Sequence, residues 1–214
     1  MFVGHYAPAL LARAAVPESR LWMLFLAAQG LDVGFDLLAI AGIERVDLRE
    51  GVSGPGALDL QWMPYTHSLA SALLVGVACA AVGRRVGRTR EGIAIGLVTA
   101  AHWFFDWLVH PPDLHLGYSA APRLGLGLWS WPWLAHALEI ALLLGSAAIL
   151  ANRLKRGRGR LAALVGALCL AQGVFALAPA PDAVVPVLAL ALTSTVAFAV
   201  AATRILPDTP PAGG

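Results

Sequence analysis

Residues 21–43 read LWMLFLAAQGLDVGFDLLAIAGI, a run without lysine or arginine whose only strongly polar members are Gln29, Asp32 and Asp36. A bilayer hydrocarbon core of about 30 Å needs roughly 20 apolar residues in a helix, so this run predicts a transmembrane helix. Five similar stretches follow, at 64–83, 92–110, 130–151, 161–179 and 183–203. Of the 214 residues, 58% are hydrophobic and only 13% charged, too apolar for an ordinary soluble domain. The expected architecture is all-α: one polytopic membrane domain over residues 1–206, with about six transmembrane helices and a short N-terminal helix. Residues 207–214 read as a disordered polar tail. The bilayer is the one partner this composition requires, and a net charge of +2 gives no sign of nucleic-acid binding.

Orientation follows from the basic residues. Arg84, Arg85, Arg88 and Arg90 crowd one inter-span loop, and Arg153, Lys155, Arg156, Arg158 and Arg160 crowd another. With Arg13, Arg20 and Arg204 they leave only Arg45, Arg49 and Arg123 for the opposite side. Positive loops stay inside, so six spans put both termini in the cytoplasm. Trp62, Trp129, Trp131 and Trp133 fall at the outer headgroup level and Trp22 at the inner one, where interfacial tryptophans belong. Cys79 and Cys169 lie far apart within apolar spans and read as packing residues.

Ionisable residues inside the first four spans carry the chemistry: Asp32 and Asp36, His67, His102 and Asp106, then His136 and Glu139. A charged side chain at mid-bilayer costs roughly 2.5–3.5 kcal/mol on insertion scales, so four lipid-facing carboxylates would cost on the order of 10 kcal/mol. No lysine or arginine lies between Arg20 and Arg45, between Arg49 and Arg84, or between Arg90 and Arg123. Ordinary side-chain salt bridges are therefore excluded by inventory. Protonation, imidazolium, water in a cavity or a bound cation remain, and a metal accounts most economically for acids mixed with imidazoles.

The spacing agrees with one site. Asp32 and Asp36 are four apart, as are His102 and Asp106, so each pair shares a helix face. At about 1.5 Å per residue, Asp36 lies roughly 10 Å and His102 roughly 12 Å below the outer ends of their spans. His67, Asp106, His136 and Glu139 fall in the same outer half. His5 joins them if residues 6–16 form a short helix rising from the inner face; a surface-lying amphipathic helix is the other reading. His136 and Glu139 share a face and could simply bond to each other. His110, Asp113 and His115 read as solvated loop residues.

At these positions the chain resembles the bacterial membrane-bound metal-dependent hydrolases described as LexA-regulated inner-membrane proteins. Gly4-His5 looks like that family's N-terminal histidine, and Asp32 with Asp36 like its acidic pair. Thr66-His67-Ser68 looks like its Thr-His-Ser motif, and His102 with Asp106 like its His-x-x-x-Asp. The match covers residues 4–110, and Trp62 stands where the family often has a further histidine. The resemblance implies an enzyme of the cytoplasmic membrane that uses a divalent ion, zinc first and manganese or iron next. His5, Asp32, Asp36, His67, His102 and Asp106 are then the candidate ligands, with Asp36 also a candidate catalytic residue; Glu139, outside the matched stretch, is a candidate general base on its own chemistry. The outer-half depth points to an ester or phosphodiester of a lipid or lipid-linked substrate, with Arg45, Arg49 or Arg123 available for phosphate. Two other readings stay open: an ion or proton transporter, and a structural or regulatory protein whose polar cluster only locks its helices.

Overall fold

The computed structural model describes residues 1–52 and 57–205; the predicted tail over 207–214 lies outside the described residues. Eight α-helices and four short strands make up the described residues. A 3-10 turn, Val3–His5, leads into α1, Tyr6–Ala15, followed by α2, Leu21–Ala28, and α3, Gly30–Ile40. Strands β1, Arg45–Leu48, and β2, Leu58–Trp62, pair antiparallel. Then come α4, Leu69–Arg85, and α5, Thr89–Val109, and the two-residue strands β3, Leu114–His115, and β4, Arg123–Leu124. The chain closes with α6, Pro132–Arg153, α7, Arg158–Leu177, and α8, Val184–Ile205.

Four helices, α5 to α8, are long and apolar enough to cross a membrane, and α2 with α3 make a fifth crossing if the bent pair counts as one span. The predicted six is therefore not reached by length and composition, because α4 has only 17 residues. It starts at Leu69 rather than at 64: Pro64 cannot donate within a helix, and Ser68 caps the first turn by accepting from Ser71 N. The outward faces suit lipid. Leu74 is 63%, Leu170 70% and Leu190 70% exposed, a spread of bare apolar surface that a protein in water rarely tolerates.

Three features shape the site, two of them departures from the sequence reading. First, the run at 21–43 is not one helix; it bends by 49° between α2 and α3. Gln29 leaves helical geometry there, and its side-chain amide donates to Phe2 O at 3.1 Å. Secondly, of the two readings of residues 6–16, the structure takes the short helix that brings His5 to the site and not the surface-lying one. Tyr6, Ala9 and Leu10 of α1 are fully buried among α2, α5 and α6, so α1 and the turn before it fill the middle of the bundle. Thirdly, the all-α expectation misses the two small hairpins, which cap one end. The pairing of Ala70 N with Leu116 O and of Trp103 Nε1 with His115 O ties the second hairpin to α4 and α5.

Helices α4 and α5 touch backbone to backbone. A Cβ added at Gly83 would lie 2.4 Å from Gly92 Cα, and one at Gly96 would lie 2.3 Å from Gly76 O. Only glycine permits this approach, and it fixes the rotation of α5 that aims His102 and Asp106 inward.

Candidate metal centre

Four side chains from three different segments converge: Asp32 of α3, His67 of the turn before α4, and His102 and Asp106 of α5. One ligand atom from each lies within 4.8 Å of all the others. His102 Nε2 is 2.9 Å from Asp106 Oδ2 and 3.4 Å from Asp32 Oδ1. His67 Nε2 is 3.2 Å from Asp32 Oδ1 and 3.6 Å from Asp106 Oδ2. Donors bound to one ion at about 2.1 Å stand roughly 3–3.5 Å apart, which is the spacing found.

The hydrogen bonds behind the imidazoles show which nitrogen faces the centre. His102 Nδ1 lies 2.8 Å from Ala28 O, a carbonyl at the α2–α3 bend. A carbonyl can only accept, so Nδ1 carries the proton and Nε2 turns a lone pair inward. His67 Nδ1 lies 2.9 Å from Thr66 Oγ1, whose single hydrogen is committed to Glu44 Oε2 at 2.6 Å. That hydroxyl accepts from His67 Nδ1–H, while His67 Nε2 points inward, within hydrogen-bond distance of Asp32 Oδ1 at 3.2 Å. Outer partners that fix a tautomer in this way are typical of metal-ligating histidines.

Two imidazole Nε2 atoms thus face two carboxylates. His102 Nε2 and Asp106 Oδ2, although 2.9 Å apart, form no hydrogen bond, and both are buried without any other partner. Unpaired buried polar atoms are costly; a shared cation would satisfy them together. The donor set of two carboxylate oxygens and two imidazole nitrogens fits a divalent ion of intermediate softness. Three members are almost fully buried, while the Asp32 side chain is 28% exposed. Asp32 therefore marks the open side.

The remaining candidates fall around this group. His5 Nε2 is 3.0 Å from Asp106 Oδ1, and its ring stacks on His102 with centroids 3.8 Å apart. The Met1 α-amine also sits on Asp106 Oδ1, at 2.6 Å, a cation that an inventory of lysine and arginine does not count. Asp36, one turn along α3 from Asp32, is buried but outside the group of four. Glu139 lies behind the N-terminal turn, its Oε2 accepting from Phe2 N at 2.7 Å and Gly4 N at 3.1 Å. His136 bonds not to Glu139 but to Gln172 of α7, at 2.7 Å.

Sequence reasoning missed two features. Glu44, 1% exposed, accepts from Tyr65 N, Thr66 N and Thr66 Oγ1 and so locks the His67 turn. Its only advance signal is the hydroxyl residue before the histidine. His110, Asp113 and His115 are not solvated but buried. His110 Nδ1 pairs with Asp113 at 2.9 Å, and its Nε2 faces Asp106 Oδ1 at 3.5 Å. Burial, with the charge of Arg123, lowers the pKa of His115, whose two ring nitrogens have no hydrogen-bond partner. Arg49 pairs with Asp59 at 3.0 Å, and Arg123 donates to Gln61 O at 3.1 Å. Comparison of the chain with protein-family models, curated proteins and solved structures finds no match.

Proposed function

We propose that the protein is a membrane-embedded metal-dependent hydrolase of the bacterial cytoplasmic membrane, holding zinc, or manganese or iron, on Asp32, His67, His102 and Asp106. The observation that carries this reading is the pair of imidazoles whose Nδ1 atoms are bonded outward and whose Nε2 atoms meet two carboxylates, all within 4.8 Å of one another. His5 stands behind the group of four, its Nε2 3.0 Å from the other oxygen of Asp106. A divalent ion there supplies Lewis acidity toward a substrate oxygen and toward water. Asp32, on the open side, orients the incoming group. Asp36 takes the proton from the attacking water, and Glu139 holds the turn that carries His5.

In this reading α4 is the sixth span. Its 17 residues reach roughly 26 Å, and Arg84 and Arg85 can extend to the headgroups from its end. Both termini then face the cytoplasm, and the centre lies toward the outer leaflet. The substrate class is an ester or phosphodiester of a lipid or lipid-linked molecule, with the exposed Arg45 available for phosphate. The motifs Thr66-His67-Ser68 and His102 with Asp106 keep the resemblance to the LexA-regulated inner-membrane hydrolases as a supporting argument.

Elemental analysis of purified protein, wild type beside Asp106→Ala, tests the centre; hydrolysis of lipid esters and phosphodiesters in vesicles tests the activity. Stoichiometric transition metal in the wild type and its loss in the variant are expected. Equal metal in both, or none in the wild type, would return the cluster to a packing role.

A further inference from the structure

A second feature runs along the first half of α5, on the helix face that carries His102 and Asp106 further along but toward the other end of the helix, and it does not depend on the metal centre. Helices α2 and α4 both lean on α5 but scarcely meet each other, because the glycine contacts pull α4 against α5. The gap is an apolar groove. Its inner part, about 280 Å³, is lined by Trp22, Leu26, Ala27, Gly30 and Thr99. Its outer part, about 560 Å³, is lined by Leu74, Ala78, Val82, Val86 and Arg88. Met23, Val75, Cys79 and Ile95 line both, so the two parts are continuous. From Thr99 to Glu91 the groove follows α5 for roughly 12 Å.

The mouth of the groove is basic. Arg88 and Glu91, which line it, pair at 3.2 Å, and Arg90 pairs with Glu18 at 3.2 Å. Arg84 and Arg85, both exposed, have no ion pair among the described residues. Two positive charges are therefore left over in the chain between Gly83 and Val86, which line the slot. An acyl chain suits the wall, and a headgroup of net negative charge suits the mouth. A zwitterionic headgroup would bring its own cation to the same arginines.

We infer that this groove binds one anionic glycerophospholipid, with an acyl chain over Val75, Cys79 and Ile95 and its phosphate against Arg84, Arg85 and Arg88. Native mass spectrometry of the detergent-purified protein, mixed with phosphatidylglycerol or with phosphatidylcholine of the same chains, tests it. One phosphatidylglycerol retained at least ten-fold over phosphatidylcholine is expected. Arg84→Gln with Arg85→Gln abolishes the preference while circular dichroism stays unchanged, and Cys79→Trp lowers retention of both lipids. Equal retention of the two lipids by the wild type overturns the inference. So does a preference that survives the arginine pair, or retention untouched by a tryptophan in the groove.

Discussion

Thr66→Val probes the proposed metal centre without touching a candidate ligand. Valine keeps the shape of threonine and removes the hydroxyl that accepts from His67 Nδ1 at 2.9 Å and donates to Glu44 Oε2 at 2.6 Å. His67 then loses the partner that fixes its tautomer, and its ring is free to turn. Loss of such outer partners weakens metal binding typically 10–100-fold, or about 1.4–2.7 kcal/mol. Glu44 keeps its bonds from Tyr65 N at 2.8 Å and Thr66 N at 3.0 Å, so the turn itself should persist. Competition with a chelator of known affinity measures the dissociation constant, and thermal unfolding in detergent with chelator present checks the fold. Glu44→Gln should also weaken binding, and the double variant should lose much less than the sum, since both act through one hydroxyl. Zinc affinity of Thr66→Val within two-fold of wild type, or full additivity with Glu44→Gln, would refute the argument.

Metal affinity should fall with acid, because a proton and a metal ion compete for the same imidazole nitrogen, and a flat profile between pH 7 and 5 would exclude both imidazoles as ligands. Glu139→Ala should loosen the N-terminal turn by removing the oxygen that accepts from Phe2 N and Gly4 N, leaving each donor unpaired at a cost of about 1–3 kcal/mol. Hydrogen exchange at those two amides should then accelerate ten-fold or more. Gly83→Val forces a Cβ to within 2.4 Å of Gly92 Cα, an overpacking of about 1–3 kcal/mol that should lower the unfolding temperature.

Much of the site was legible because spacing on a helix is local. His102 and Asp106 share a face by their four-residue separation, and the missing lysine and arginine showed that the acids needed another partner. Glu44, His110 and Asp113 were not legible, since their roles come from loops that double back over the end of the bundle. The 49° break at Gln29 was hidden by a continuous apolar run. Hydropathy reports where a chain prefers lipid; it does not report where a carbonyl must turn out of a helix to meet His102 Nδ1.

The amino-acid order by itself determined that this chain is built of apolar helices, which acids and histidines they carry, and that no basic side chain in those spans could neutralise them. These follow from composition and from the 3.6-residue period, which need no partner element. Which oxygens and nitrogens meet was decided only by the folded bundle. The burial of α1, the bend before α3 and the glycine contact of α4 with α5 set positions to within ångströms, and coordination is a matter of ångströms. A helix placed one turn higher would keep every sequence feature and lose the centre.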